Sequence, residues 1–219
     1  VDIDTGFGDV NNVIRAVKYC EKSGVAGLFI EDQTYPKRCG HMAGKDVIAV
    51  ENYLPKLKAA LWAREDPDLV IMARTDAYSV HGIEEALNRA ILFAQAGADM
   101  VFVEALDTVE EMQRVNAALR DLNTPSMANM IEGGKTPLLG IKELQNLGYS
   151  VVAYPCGSVF TAAKALQGWA RYLKEHGSTE GYLDQMLSFD EYFEFIGARA
   201  IREREKQWVM EAAGVVEKK

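Results

Sequence analysis

The sequence has few of the features that mark secreted or membrane proteins. It contains only three cysteines among 219 residues, too few and too scattered to form a disulfide framework. No apolar run is long enough to cross a bilayer, and the first residues lack the pattern of a signal peptide. We therefore expect a cytoplasmic protein with reduced thiols and no membrane partner.

Positive charge is also scarce. The 24 lysines and arginines are outnumbered by 32 aspartates and glutamates, which gives a formal net charge of −8 at pH 7. Nucleic-acid-binding proteins usually present a basic face to the phosphates, so we expect no nucleic-acid partner. The hydrophobic fraction of 48% and the charged fraction of 26% are ordinary for a globular protein.

The chain does contain a regular alternation of strand-like and helix-like segments. The strand-like segments are short and apolar on both faces, as in a buried parallel sheet: Val1–Asp4, Gly27–Ile30, Leu69–Ala73, Met100–Val103, Ser126–Met130 and Tyr149–Tyr154. Helical patterns lie between them: Asn11–Ser23, Glu51–Arg64, Ile83–Ala96, Val109–Leu119 and Ile141–Leu147. This alternation with short turns predicts an α/β fold with right-handed crossovers.

Polar residues follow nearly every one of these strands, and their distribution distinguishes two α/β architectures. In a (βα)8 TIM-type barrel the carboxyl ends of all strands face one site, whereas an open doubly wound sheet concentrates its site at a switch point. The even spread predicts a TIM-type barrel, of which six βα units are visible. Because a closed barrel needs eight units, we expect one or two further units before Val1.

The carboxyl-terminal part differs in composition from the predicted barrel. We divide the chain into a barrel domain, residues 1–177, and an extension of extra carboxyl-terminal helices, residues 178–219. Aromatic side chains are concentrated between Phe189 and Ile196, and a charge-rich helical pattern follows. Because so much aromatic surface is normally buried, we expect it to pack against the barrel or a second subunit.

Two acidic motifs indicate a divalent-cation site. Asp2 and Asp4 alternate along the first strand and share one face, where two carboxylates repel each other unless a cation lies between them. Glu31 follows the next strand and adds a third carboxylate at the same height. Such oxygen ligands suit Mg²⁺, with Mn²⁺ as a substitute. The alternative is a strand end and a helix cap without a metal.

The segment from Lys37 to His41 is the most specific in the chain. Cys39 stands beside two cations and shortly before His41, a setting that lowers the pKa of a thiol and suits proton transfer or nucleophilic attack. Gly40 permits a tight turn in a loop of the kind that closes over a site. We predict that Cys39 and His41 are catalytic and that Gly40 contacts substrate. The alternative is a solvated basic loop with an incidental cysteine.

Three further polar residues end later strands. The guanidinium of Arg74 can bind a carboxylate through two parallel hydrogen bonds, or it can form a salt bridge to Asp76 or Glu104. Glu104 and Asn129 can position a hydroxyl or a carboxylate. We predict a catalytic and substrate-binding role for Arg74, and a substrate-binding role for Glu104 and Asn129.

Together these motifs resemble those of the isocitrate lyase and phosphoenolpyruvate mutase superfamily. The resemblance lies, in order, in Asp2-Ile3-Asp4-Thr5-Gly6-Phe7-Gly8, Ile30-Glu31-Asp32-Gln33, Lys37-Arg38-Cys39-Gly40-His41, Ala73-Arg74-Thr75-Asp76-Ala77, and Asn129 before Gly133-Gly134-Lys135-Thr136-Pro137. It implies Mg²⁺ held by Asp2 and Asp4 and, through water, by Glu31. It also implies that Arg74 is a carboxylate clamp and Cys39 a general acid. A homodimer or homotetramer with an exchanged carboxyl-terminal helix is expected on the same ground.

The resemblance also narrows the reaction. It implies a Mg²⁺-dependent carbon–carbon lyase that converts a 2-hydroxy dicarboxylate to a 2-oxo acid and a carboxylate, closest to the 2,3-dimethylmalate lyase and methylisocitrate lyase-like members. Methylisocitrate lyases bind their tricarboxylate with arginines where this chain has Phe160 and Phe189, so an alkylmalate is favoured. The alternatives are oxaloacetate hydrolysis, methylisocitrate cleavage, phosphonopyruvate-type mutase chemistry and an inactive barrel scaffold.

Overall fold

The computed structural model describes residues 1–216. Five strands alternate with helices: β1 Gly27–Glu31, β2 Val70–Thr75, β3 Met100–Val103, β4 Met127–Asn129 and β5 Val151–Ala153. The helices are α1 Val10–Lys22, α2 Val50–Ala63, α3 Tyr78–His81, α4 Ile83–Gln95, α5 Val109–Asp121, α6 Ile141–Leu147, α7 Gly157–His176, α8 Phe189–Phe195 and α9 Ala198–Val216, with a 3₁₀ turn at Glu180–Gln185. Each predicted strand after the first, and each predicted helix, is confirmed to within a few residues.

The strands are parallel and follow one another in sequence order. β1, β2 and β3 form one sheet, β4 and β5 form another, and a parallel bridge from Val101 to Ser126 connects β3 to the segment before β4. An open doubly wound sheet would reverse its strand order at a switch point, whereas a barrel wall keeps the order of the sequence. The order therefore agrees with the predicted TIM-type barrel.

The first predicted strand is shorter than the sequence pattern indicated. Phe29 N donates to the Val1 carbonyl at 2.9 Å and Ile3 N donates to the Phe29 carbonyl at 3.1 Å, so this segment pairs in parallel with β1. Within the described residues, the bridge that this segment forms joins Asp2 to Phe29. The extended conformation ends at Asp4, whose φ of 50° lies in the left-handed region that aspartate tolerates.

The helices pack on the sheet through a core of aliphatic and aromatic side chains. Tyr53 of α2 is fully buried, and its ring centroid lies 4.4 Å from that of Phe93 in α4. Its hydroxyl donates to the Ile30 carbonyl of β1 at 2.8 Å, which satisfies the one polar atom that this packing buries. The contact fixes α2 against the strand that carries Glu31.

Contacts divide the chain into two compact units, Val1–Ser158 and Val159–Lys219. Within the second unit, Tyr172 stacks on His176 with ring centroids 4.0 Å apart, and Phe189 meets Phe193 edge-on at 4.7 Å. The described part of the predicted extension (residues 178–219), residues 178–216, lies in this unit, and the exchange of the extension between subunits stays a prediction. No helix within residues 1–216 combines the length and apolar character needed to cross a membrane.

Candidate active site

The candidate site lies where the parallel strands end. Glu31 is the last residue of β1 and stands opposite Arg74 of β2 in the register of the sheet. Glu104 directly follows β3, and Asn129 is the last residue of β4. Carboxyl ends of neighbouring parallel strands share one edge, so the structure brings these four predicted residues together.

The three predicted metal ligands surround one cation, and that cation is a lysine. The Nζ atom of Lys37 lies 2.6 Å from Asp4 Oδ1, 3.2 Å from Asp2 Oδ2 and 3.7 Å from Glu31 Oε2. Asp2 is held in place because its Oδ1 accepts the Asp4 amide at 2.8 Å. The sequence pattern placed Lys37 beside the Cys39 thiol; the structure instead places its charge among the acids.

Glu31 is the acid of this cluster whose carboxylate is least compensated by its surroundings. Its side chain is fully buried, and neither carboxylate oxygen accepts a hydrogen bond within the described residues. Burial raises its pKa to about 7, although the Arg74 charge opposes the shift. A divalent cation would supply the positive charge that this buried carboxylate needs as a partner.

The cluster fits a hydrated ion better than a bare one. Among residues 1–216, no group of three acidic, histidine or cysteine side chains converges closely enough to hold a metal by itself. Mg²⁺ keeps several of its waters and needs few direct protein ligands, so Asp2, Asp4 and Glu31 remain compatible with it.

Arg74 sits among three carboxylates at the end of β2. Asp76 accepts two hydrogen bonds from it, from Nε at 2.9 Å and from Nη2 at 3.2 Å. Glu31 Oε2 lies 3.3 Å from Nε, and Glu104 Oε2 lies 3.4 Å from Nη2. Burial opposes the charge of Arg74, but these acids outweigh burial and raise its pKa further. The salt bridges from Arg74 to Asp76 and to Glu104, which the sequence offered as alternatives to a carboxylate clamp, are thus both present.

Glu104 connects three of the predicted residues. Its carboxylate lies 2.9 Å from His41 Nε2 and accepts Asn129 Nδ2 at 3.1 Å, in addition to its contact with Arg74. His41 Nδ1 accepts the Lys135 amide at 2.9 Å. A nitrogen that accepts carries no proton, so the proton of the neutral ring belongs on Nε2, which lies near Glu104 but makes no hydrogen bond within the described residues.

The loop that carries Cys39 covers this cluster. Gly40 is buried so closely that a Cβ there would lie 2.7 Å from Glu104 Cδ and 2.9 Å from Arg74 Nη2. Cys39 itself is exposed. The cations beside it have other partners, because Lys37 contacts the acid cluster and Arg38 Nη1 donates to the Ala43 carbonyl at 3.5 Å.

The structure adds buried ion pairs that the sequence analysis did not assign. Asp32 Oδ2 accepts the Arg89 guanidinium at 2.9 Å and the Thr75 hydroxyl at 2.6 Å, and its Oδ1 accepts the Asp76 amide at 2.9 Å. Burial raises the pKa of Asp32 in spite of these partners. The missed signal was Arg89 on the apolar face of α4, at helical spacing from buried Phe93.

Lys45 is a second residue that was missed. It is nearly fully buried, and its ammonium donates to Asp76 Oδ1 at 2.8 Å. The polar, glycine-containing sequence around it is typical of a loop in which a lysine is exposed to solvent. No local pattern signals its buried partner, because Asp76 lies 31 positions away along the chain.

Comparison with known proteins agrees with this architecture. A family model described as phosphoenolpyruvate phosphomutase matches residues 1–174. The 2,3-dimethylmalate lyase of Eubacterium barkeri is 44% identical over 207 residues, which cover 94% of this chain and 71% of that protein. The chain spans about two thirds of the length of the curated relatives it matches.

Two solved structures show the same fold. Oxaloacetate acetylhydrolase in complex with 3,3-difluorooxalacetate superposes with a TM-score of 0.83 at 31% identity, covering 94% of this chain and 69% of that one. Phosphonopyruvate hydrolase in complex with oxalate and Mg²⁺ gives a TM-score of 0.78 at 25% identity, covering 95% of this chain and 71% of that one. The predicted fold class is confirmed. The chain belongs to the phosphoenolpyruvate mutase/isocitrate lyase superfamily, a family of enzymes with TIM-type barrels.

Proposed function

We propose that this chain is a Mg²⁺-dependent carbon–carbon lyase that cleaves a 2-hydroxy dicarboxylate of the alkylmalate type. The observation that carries the proposal is the position of Glu31, whose Oε2 lies 3.7 Å from the Lys37 ammonium and 3.3 Å from Arg74 Nε. A cation-binding cluster and a carboxylate-binding guanidinium are therefore adjacent. A 2-hydroxy acid carries its hydroxyl and a carboxylate on the same carbon, so one substrate can contact both groups.

Asp2, Asp4 and Glu31 are the residues that would hold Mg²⁺, with the Lys37 ammonium displaced from between them. When bound, the metal supplies a Lewis acid that stabilises negative charge on a substrate oxygen. Glu31 is suited to this position because no hydrogen-bond donor among the described residues reaches its buried carboxylate. Mn²⁺ accepts the same oxygen ligands and is expected to substitute.

The substrate carboxylate is assigned to Arg74. Its contacts with Asp76 and Glu104 use Nε and Nη2, so Nη1 offers the two further donors of the guanidinium. Glu104 holds this guanidinium and the amide of Asn129 in fixed orientations. We therefore assign Glu104 and Asn129 to the positioning of the substrate, with His41 orienting Glu104 from the loop.

The proton that completes cleavage is assigned to Cys39. In the lyase step the hydroxyl gives its proton to a carboxylate of the acid cluster, the bond between the carbinol carbon and its neighbour breaks, and the carbinol becomes the carbonyl of the 2-oxo acid. The electron pair stays on the neighbouring carbon, next to its carboxylate, and the thiol of Cys39 delivers a proton there. Gly40 supports this role, because its close packing on Glu104 and Arg74 holds the backbone next to Cys39 against the site.

Product analysis with a substrate panel tests the proposal. Purified protein with Mg²⁺ is incubated with 2,3-dimethylmalate, methylisocitrate, oxaloacetate and phosphonopyruvate, and 2-oxo acids and carboxylates are quantified by chromatography. We expect the alkylmalate to be cleaved to a 2-oxo acid and a carboxylate. Turnover of phosphonopyruvate without alkylmalate cleavage would contradict the proposal, and so would a complete absence of turnover.

Oxaloacetate hydrolysis is the second candidate. It is favoured by the similarity to oxaloacetate acetylhydrolase, whose fold this chain shares. Here water attacks the carbonyl carbon, and oxalate and acetate are the products. Formation of oxalate from oxaloacetate, with no cleavage of the saturated alkylmalate, would support this reading over the lyase.

A further inference from the structure

Lys45 is a charged residue that the proposed reaction does not use. Its side chain is only 2% exposed, although it lies in the loop that carries Cys39. The ammonium donates to Asp76 Oδ1 at 2.8 Å and also to the Gly40 carbonyl. Burying an ammonium is costly unless acceptors replace its water, and these two acceptors do so.

Asp76 connects Lys45 to the substrate clamp. The carboxylate that Lys45 contacts also accepts Nε and Nη2 of Arg74. Burial disfavours the charge of Asp76, but Arg74 and Lys45 outweigh burial, and the pKa of Asp76 is lowered. One fully buried carboxylate is thus shared between the loop and the guanidinium.

Gly40 connects Lys45 to the other side of the site. Its carbonyl is held by the Lys45 ammonium, while its Cα faces Glu104 and Arg74 without room for a side chain. The backbone next to Cys39 is therefore held at a fixed distance from Glu104 and Arg74. The loop has other contacts on either side of Gly40, because Lys37 contacts Asp4 at 2.6 Å and His41 Nδ1 accepts the Lys135 amide at 2.9 Å.

We propose that Lys45 is a positioning residue that couples the Cys39 loop to the Arg74 clamp through Asp76. It keeps Gly40 against Glu104 and thereby sets the place of the Cys39 thiol relative to the bound carboxylate. The role in turnover rests on the proposed lyase function, whereas the coupling itself exists without substrate. Lys45 touches neither the substrate nor the reacting atoms of the proposed reaction.

Limited proteolysis of the free protein tests the coupling without any assay of activity. Trypsin cleavage after Arg38 in the loop is compared with cleavage after Arg114 in α5, which reports global unfolding. Loss of a charge-assisted hydrogen bond should raise cleavage after Arg38 about tenfold in Lys45→Met, with no matching rise after Arg114. Lys45→Arg keeps the charge and donors and should restore most of the protection.

Lys58→Met is the matched control, because Lys58 also donates to a carbonyl, that of Ala96 at 2.7 Å, but lies away from the loop. Equal cleavage after Arg38 in Lys45→Met and Lys58→Met would overturn the coupling. A parallel rise after Arg114 would overturn it too, because Lys45 would then only support the fold.

Steady-state kinetics on the best substrate of the panel test the positioning role. Misplacement of the loop should lower kcat about 100-fold in Lys45→Met, with a smaller change in KM and recovery in Lys45→Arg. An unchanged kcat together with faster loop cleavage would overturn the positioning role. If the wild-type protein turns over no substrate, the proposed function fails, while the proteolysis still decides the coupling.

Discussion

The ammonium of Lys37 lies 2.6 Å from Asp4 Oδ1, so a loop residue occupies the centre of the acid cluster. Asp2 and Glu31 share the same ammonium at 3.2 and 3.7 Å. Arg74 contacts Glu31 from the other side at 3.3 Å but is itself shared with Asp76 and Glu104, so the site keeps an excess of negative charge. A divalent cation at this position must displace the Lys37 ammonium.

The first prediction concerns Asp2. Asp2→Asn removes one of the charges that would hold Mg²⁺, and activity should then require about 10–100 times more Mg²⁺. Mg²⁺ titration of the initial rate measures this, and calorimetry with Mn²⁺ measures binding without turnover. Asp121→Asn, on an exposed end of α5, is the control. Full activity in excess chelator would show that no metal is needed.

The second prediction concerns Cys39. Removal of a positioned general acid should lower kcat by about 10²–10⁴ in Cys39→Ser, while KM changes far less because Arg74 and the metal site supply most of the binding. Cys20→Ser and Cys156→Ser are controls and should keep normal rates. Iodoacetamide should inactivate the free enzyme, and a dicarboxylate with Mg²⁺ should protect it. Near-normal turnover of Cys39→Ser would exclude the lyase assignment.

The third prediction concerns Arg89, whose guanidinium donates to buried Asp32 and to the Ile48 carbonyl, both at 2.9 Å. Arg89→Met should lower the free energy of unfolding by about 3–5 kcal/mol, because it leaves a buried carboxylate without its partner. Arg114→Met breaks an exposed pair with Glu84 and should cost less than about 1 kcal/mol. Urea unfolding measures both values, and equal losses would contradict the argument.

The fourth prediction is a pH dependence of stability that arises from Asp76. Its folded-state pKa is lowered, so its ionisation stabilises the fold fully above the unfolded-state pKa of about 3.9. This stabilisation is lost as the pH falls through the lower, folded-state value. Asp76→Asn should therefore destabilise the protein at pH 7, and its difference from wild type should shrink below about pH 4. A constant difference across this range in urea unfolding would refute the prediction.

The fifth prediction concerns assembly. Phe189 is 80% exposed and Phe195 is 79% exposed, and aromatic surface of this extent is normally covered by another subunit. We expect a homodimer or homotetramer at micromolar concentration in sedimentation velocity. Phe189→Ser should shift the protein toward the monomer, whereas Phe7→Ser, which changes an exposed phenylalanine of the first unit, should not. A monomeric wild-type protein would contradict the expected exchange of the helical extension.

Most of the fold could be predicted from the sequence because its signals are local. The apolar segment before Arg74 and the amphipathic pattern of Ile83–Gln95 need only neighbouring residues for their interpretation. Short βα turns then force a parallel order, which places Glu31, Arg74, Glu104 and Asn129 at one edge. The first strand was predicted too long, because the left-handed conformation of Asp4 has no signature in an apolar pattern.

The path of the loop after β1 is what only the tertiary structure decided. By itself the sequence determined that Lys37 and Arg38 stand beside Cys39 in a polar, glycine-containing segment, and it placed both cations beside the thiol or in solvent. The structure sends Lys37 to Asp4 and buries Lys45 on Asp76. The physical reason is that a lysine side chain pairs with a carboxylate that lies within its length. The carboxylates concerned belong to other strands, and their distances from the lysine are fixed only when the strands pack side by side.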